Sequence, residues 1–203
     1  LFWLTLPDSA FKAGDSQLAI EIQGILLYMI IATGVFYGWN GMSASRKKAQ
    51  QITKIANYDS LTHAKSYSLY HKESSEMFAA YHATQTPLTM VELDVDHFKI
   101  VNDQFGHLVG NQVLILVVST LRDCLNYYSN QYQLYRTGGE EFMILLPNTD
   151  LKQSIPVVQR CWTKVRQQVC HYEGQSVKIT VSLGVSQAIE TDATIDDVYK
   201  RAD

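Results

Sequence analysis

Tyr135-Arg136-Thr137-Gly138-Gly139-Glu140-Glu141-Phe142 sits between two strand-like runs. Residues 131–137 lead into the Gly-Gly-Glu-Glu turn, Phe142-Met143-Ile144-Leu145-Leu146 leads out, and Pro147 stops the run. Two such runs joined by a glycine-rich turn predict a β-hairpin. The outgoing run is apolar at every position, so burial on both faces is expected. Adjacent carboxylates at the tip of a buried hairpin repel each other, and burial disfavours both ionised forms. A divalent cation would remove that cost, and the glycines would let a phosphate approach the backbone. A solvated acidic turn is the other reading of the same stretch.

Working outward, Val91-Glu92-Leu93-Asp94-Val95-Asp96 alternates, with Val91, Leu93 and Val95 on one face and Glu92, Asp94 and Asp96 on the other. Asp94 and Asp96 therefore share the C-terminal end of a strand. His97-Phe98-Lys99-Ile100-Val101-Asn102-Asp103 follows, then Phe105-Gly106-His107 and Gly110-Asn111. Phe98, Val101 and Phe105 recur at helical spacing and should pack inward. A carboxylate at a strand end, followed by a helix start, favours a metal-bound phosphate. Asp96 and Asp103 are expected to be capping or salt-bridge residues.

These stretches together resemble the GGDEF family of diguanylate cyclases in its GGEEF variant, over roughly residues 57–203. Leu93 to Lys99, Asn102-Asp103, Gly106-His107 with Gly110, the diglycine turn, Ser182-Leu183-Gly184-Val185 and Arg201-Ala202-Asp203 carry the resemblance. It implies condensation of two GTP into cyclic di-GMP by metal-dependent nucleotidyl transfer. The implied metal ligands are Asp94, the carbonyl of Val95 and Glu140, holding Mg²⁺ or Mn²⁺. Glu140, Glu141 and Lys99 would serve the chemistry. The amides of His97 and Phe98 would hold phosphates, Gly138 and Gly139 would let phosphate lie against the hairpin, and Asn102 and Asn111 would read the guanine. A homodimer is implied, because each protomer would hold one GTP. The alternatives are a degenerate domain that binds GTP or docks a protein, and a cyclase with relaxed base specificity.

The sequence departs from the family pattern at three places. His63-Ala64-Lys65-Ser66-Tyr67 replaces the usual Gly-Leu and Asn-Arg, which is expected to weaken the opening segment of the domain. Asn111 stands where Asp is usual; its amide offers one acceptor and one donor group, so reduced guanine preference is expected. Ser129 and Tyr132 stand where an Arg-x-x-Asp inhibitory site is usual, so product inhibition through that site is not expected.

The composition is that of an ordinary globular core plus an appendage: 203 residues with a formal charge of −3, which gives no basic footprint for nucleic acid. Cys124, Cys161 and Cys170 lack metal spacing and read as reduced thiols. His63 reads as a surface histidine. Residues 22–45 carry no charge and Arg46-Lys47-Lys48 follows, so the C-terminal side is expected in the cytoplasm. The expected organisation is an extracytoplasmic loop or helix end over 1–19, a transmembrane helix over 20–45, a linker helix over 46–57 and a GGDEF-type cyclase domain over 58–203, its last helix truncated. The protein is thus placed in the cell membrane, anchored through residues 20–45, with its cyclase domain cytoplasmic.

Within that domain the expected fold is mixed α/β (α+β), a mostly antiparallel sheet covered by helices, which the resemblance makes palm-like. Helices are expected over 69–84, along the Leu114, Val117, Val118, Leu121, Leu125 stripe, and along Ile155, Val158, Trp162, Val165 and Val169 after a cap at 148–150. Pro156 should set a first turn or a kink. Val177, Ile179 and Val181 read as one strand interrupted by Gly184, and a last helix should begin near Thr194 or Asp196.

Overall fold

A computed structural model describes residues 13–202. The expected loop or helix end over 1–19 falls mostly before residue 13, and Asp203 ends the matched motif; residues 1–12 and Asp203 lie outside the described residues. The chain divides into two units, Leu1–Ile52 and Thr53–Asp203.

The described part of the first unit is helical: it belongs to α1, which runs from Ala13 to Asn57. Its segment Ile20–Asn40, 21 residues, is long and apolar enough to cross a membrane. Ile20, Leu26, Tyr28, Ile30, Val35, Tyr37 and Trp39 are all exposed along it, a long apolar surface. The Thr33 hydroxyl donates to the carbonyls of Met29 and Ile30 at 2.8 and 2.9 Å, which satisfies it within the helix. The expected membrane helix and linker helix are therefore one uninterrupted helix. No proline falls in that stretch, and single glycines are tolerated inside a long helix.

The second unit is built on a five-stranded sheet. In chain order it contains β1 (Lys65–Ser66), α2 (Tyr67–Thr84), β2 (Leu88–Val95), α3 (Phe98–Phe105), α4 (His107–Tyr128), β3 (Gln133–Arg136), β4 (Glu141–Pro147), α5 (Leu151–Arg166), β5 (Val169–Tyr172), β6 (Gln175–Lys178), β7 (Val181–Gln187) and α6 (Ile195–Ala202). The strand order is β1-β3-β4-β2-β7, antiparallel except for the parallel β1–β3 pair. This is the mostly antiparallel sheet covered by helices that the element pattern predicts.

The two faces of β2 explain the cores. Val91, Leu93 and Val95 face a large cluster with Val113, Leu114, Val117, Leu121 and Val158, under α4 and α5. Leu88 and Met90 face a smaller cluster with Phe78, Tyr81, Tyr135, Met143 and Val198, under α2 and α6. Phe142 to Leu146 are all buried, as an apolar strand between two layers should be. Phe98 is buried, and Val101 and Phe105 pack against the large cluster. Helix α4 is also apolar enough to cross a membrane, but half of it is buried against the sheet, so it is a core helix.

Four expectations are corrected. Val177 and Val181 do not share a strand: β5 and β6 form a separate hairpin that turns at Glu173 and Gly174, both with positive φ (47° and 79°), and β7 starts afresh at Val181. Helix α5 is capped by Asp150 as expected, with a capping box to Gln153, but its buried face is Ser154, Val157, Val158, Cys161 and Val165. Ile155 and Trp162 lie at its border and Val169 belongs to β5. Pro156 falls past the first turn. Gly184 does not interrupt β7; it lets α6 lie on it, since a Cβ there would stand 1.6 Å from the Ala202 carbonyl oxygen. The three cysteines are buried free thiols, and burial, then Cys124, pushes Cys161 well above its ordinary value.

Candidate functional site

The sheet brings the two acidic stretches to one end. Asp94 pairs with Glu141 across the β2–β4 ladder and with Ser182 across β2–β7. Past the ladder, the Val95 amide donates to the Glu140 carbonyl at 3.3 Å, so the bend lies against the end of β2. The bend is closed by the amides of Thr137 and Gly138, which donate to the Glu141 carbonyl at 3.0 and 3.4 Å.

The bend is more open than a buried tip: Gly139 and Glu141 are exposed, and Glu140 is half-buried. Neither glycine has positive φ. A Cβ at Gly138 would crowd the Glu141 carboxylate at 2.3 Å, whereas nothing lies within 4 Å of one at Gly139. Gly138 therefore makes room for Glu141, and Gly139 leaves the outer side of the bend free.

The Asp94 carboxyl is held above the ordinary carboxylate range, first by lost hydration and then by the charges of Glu140, Glu141 and Asp96. None of the ion pairs among the described residues involves Asp94, Glu140 or Glu141. Asp96 accepts from the Ser182 hydroxyl at 2.7 Å rather than capping α3 or pairing with a cation.

A divalent cation fits this donor set. Among the described residues no group of three or more His, Cys, Asp and Glu side chains could cage a metal. Two carboxylates, a neighbouring carbonyl and an open side are what a hard cation of the magnesium type uses, because it keeps waters and completes its shell with substrate phosphates. Mutual repulsion at Asp94 supplies the electrostatic reason to bind one.

The other expected residues lie nearby in the chain. His97 takes a left-handed conformation (φ 57°) and turns β2 into α3, so the amides of His97 and Phe98 open a helix just past the acidic strand end. Lys99 is exposed and makes none of the ion pairs among the described residues. The Asn102 amide oxygen fills the space over Gly110, 2.0 Å from where a Cβ would stand, next to the half-buried Asn111. At the expected inhibitory positions, Ser129 accepts from the Gln131 amide at 3.1 Å and the Tyr132 hydroxyl accepts from Thr149 at 3.1 Å.

Sequence reasoning missed Arg136 and Asp59. Arg136 donates to the carbonyls of Gly138 (3.2 Å) and Gly139 (3.1 and 2.7 Å), and its remaining nitrogen meets Asp59 at 2.9 Å. Asp59 also accepts from the amide and hydroxyl of Thr62 at 2.8 and 2.6 Å. These bonds and Arg136 hold its carboxyl below the ordinary range, against the opposing effect of burial, which is the largest single influence. The shape of the catalytic-type bend is thus set from the opening turn of the domain. An Arg two residues before a diglycine was the only local signal for it.

That opening turn is not weakened by its departures. His63 is exposed at φ 57°, its carbonyl accepts from Arg122 at 2.9 Å, and Ala64 is buried. Lys65 pairs with Glu73 at 2.6 Å, and Glu73 also takes the Tyr135 hydroxyl at 2.5 Å. Ser66 caps α2.

Residues 56–203 match the family described as diguanylate cyclase, GGDEF domain. Diguanylate cyclase VdcA of Vibrio cholerae serotype O1 (strain ATCC 39315 / El Tor Inaba N16961) is 34% identical over 170 residues, 80% of this chain and 47% of that protein. A membrane protein of Staphylococcus aureus (strain USA300), called uncharacterized, is 30% identical over 148 residues, 72% of this chain and 41% of that one. The chain spans less than half the length of the curated relatives it matches. The solved coiled coil and GGDEF domain of DgcB from Caulobacter crescentus, in complex with c-di-GMP, shares the fold: TM-score 0.78 at 22% identity, covering 85% of this chain and 90% of that one.

Proposed function

We propose, from the premise that this chain belongs to the GGDEF domain family of diguanylate cyclases, that it joins two GTP into cyclic di-GMP and releases pyrophosphate. The observation that carries this is the meeting of Asp94, Glu140 and Glu141 at one sheet end, none of them in an ion pair among the described residues.

Asp94, the Val95 carbonyl and Glu140 would hold a divalent cation, Mg²⁺ or Mn²⁺, as GGDEF cyclases generally require one. Bound there, it would neutralise triphosphate charge and acidify the attacking hydroxyl. The protein's own groups do the rest. Lys99 and the amides of His97 and Phe98 bind phosphate oxygens, and Gly139 leaves the bend open to them. Glu141, opposite Asp94, takes the proton of the ribose 3′-hydroxyl as its oxygen bonds to the α-phosphorus of the second nucleotide and the pyrophosphate bond breaks. Arg136 keeps the bend in shape. The reaction repeats to close the ring, so two protomers face each other, each with one GTP.

Asn102 and Asn111 read the base. Asn111 lacks the charge that would strengthen acceptance from guanine, and its amide also matches adenine's edge. Guanine preference is therefore reduced, with adenine-containing product alongside. Comparing GTP and ATP turnover in the wild type and Asn111→Asp checks this; identical selectivity ends the idea. Product does not inhibit through Ser129 and Tyr132, whose hydroxyls serve local structure.

We place the domain units as the transmembrane helix, the continuing linker helix and the cyclase domain, the last on the cytoplasmic side of a membrane crossed by α1. The deciding experiment incubates the full chain, in detergent micelles, with Mg²⁺ and GTP and identifies products by mass. Cyclic di-GMP from the wild type and none from Glu140→Ala supports the reading. No cyclic dinucleotide from the wild type, or equal yield from the variant, refutes it.

A further inference from the structure

Gly110 lies near the start of α4 and is buried. Its amide donates to the Gly106 carbonyl at 3.2 Å, and its φ is not positive. Nothing in that backbone asks for glycine. Glycine is a poor helix former, and alanine would suit the position better if only the helix mattered.

The reason for the glycine lies across the contact between α3 and α4. A Cβ on Gly110 would collide with the amide oxygen of Asn102, and would stand 3.1 Å from Asn102 Cγ and 3.3 Å from Phe98 Cζ. The bare backbone is therefore a slot in which the Asn102 side chain lies, with the Phe98 ring beside it. Phe98 belongs to the large core and has no free space to retreat into. The backbone of Asn102 is fixed within α3, where its carbonyl accepts from the Gly106 amide at 2.9 Å.

Asn102 is half-buried, and among the described residues none hydrogen-bonds to its side chain. The fold thus holds this amide in place without using its donor or its acceptor, which leaves both for a ligand. A methyl at position 110 would be accommodated most cheaply by turning Asn102 to another rotamer, because the amide is the free end of a side chain and the ring is packed. Such a change would spare the fold and move the amide.

We propose that Gly110 is a positioning residue for the base subsite, acting through Asn102. The slot orders the amide before the nucleotide arrives, so that binding does not have to order it. The proposal rests on reading Asn102 as a contact to the guanine.

The test measures binding of 3′-deoxy-GTP with Mg²⁺ to the full chain in detergent micelles by calorimetry. Without the attacking hydroxyl the nucleotide is bound but not joined to a second one. Saturable binding by the wild type, weakened about fivefold in Asn102→Ala, is the expected baseline. No binding by the wild type overturns the nucleotide site and this proposal together. Wild-type affinity in Asn102→Ala overturns the base contact and this proposal, and leaves the cation site standing. Gly110→Ala is expected to weaken binding about fivefold alone, and less than about twofold when Asn102 is already alanine. Equal weakening in both backgrounds would mean a general disturbance through Phe98; that result, or wild-type affinity in Gly110→Ala, overturns the role of Gly110 and leaves Asn102 as the base contact. If Gly110→Ala does not fold, Asn102→Gln carries the test. It keeps the amide but sets it one methylene beyond the slot, and is expected to bind as weakly as Asn102→Ala. Affinity within about twofold of wild type in Asn102→Gln overturns the proposal.

Discussion

Asp94 and Asp192 are the same residue type in one domain and have opposite surroundings. Asp192 is buried, 5% exposed, and is clasped by the Arg201 guanidinium, with a second bond of 2.8 Å and a further one from the Ile189 amide at 2.9 Å. Its carboxyl is held below the ordinary range by Arg201, with burial opposing. Asp94 is exposed and is held above that range, first by lost hydration and then by three neighbouring carboxylates. Asp59, tied to Arg136, behaves like Asp192. A carboxylate that holds the fold together is given its cation by the chain. One that awaits a cation from outside is left among like charges, and that local cost is the signature of a site.

The largest expected effect falls on the awaiting side. Asp94→Asn and Glu140→Ala each should lower cyclic dinucleotide formation about a thousandfold, roughly 4 kcal/mol, measured as initial rate on folded protein. Retained activity would erase the distinction between the two carboxylates.

Next comes the clasp. Arg201→Met strands Asp192 as a buried charge and should destabilise the domain by about 3 kcal/mol in denaturant unfolding. An unchanged midpoint would mean that the clasp is not what holds α6.

A smaller effect has the opposite sign. Without metal, Asp94→Asn removes a repelled charge and should stabilise the domain by about 0.5 kcal/mol, modest because the group is exposed and solvent screens it. Asp94 has a folded pKa above the ordinary 3.8, so its penalty is absent in acid and sets in as pH rises through the raised value. The gain should therefore be present at pH 7 and vanish toward pH 3.8. For Asp192 the folded value lies below 3.8, so its stabilisation is complete above 3.8 and is lost as pH falls through the lowered value. Measured against the wild type as pH rises from acid, Asp94→Asn should thus gain stability and Arg201→Met lose it; parallel curves would contradict the comparison.

The smallest effect is a control outside both regions. His63→Gly relieves a left-handed residue but loosens the unfolded chain, for a net change of about 0.3 kcal/mol in unfolding. A change above about 1 kcal/mol would show that the opening turn is more strained than its hydrogen bonds indicate.

Much of this was legible in the sequence because period and contiguity carried it. The all-apolar run from Phe142 to Leu146 could only be an inner strand, and the alternation of Val91 to Asp96 put Asp94 at an end. The misses arise where information is tertiary. Nothing local to Arg136 names Asp59, far away in the chain, as its partner. The α5 stripe was displaced because Ile155 and Trp162 are large but sit at the border, while the small Ser154 and Cys161 face inward. The β5–β6 hairpin was absorbed into its neighbour because Val177, Ile179 and Val181 keep the alternation across a break. The Glu173-Gly174 turn was its one available cue.

The most direct measurement is the unfolding temperature of the full chain at pH 7 with GTP and Mg²⁺, against GTP with a chelator at equal ionic strength, for the wild type and Asp94→Asn. A rise on adding Mg²⁺ in the wild type and none in the variant is the predicted result. An equal rise in both, or none in the wild type, would contradict a divalent cation held between the end of β2 and the diglycine bend.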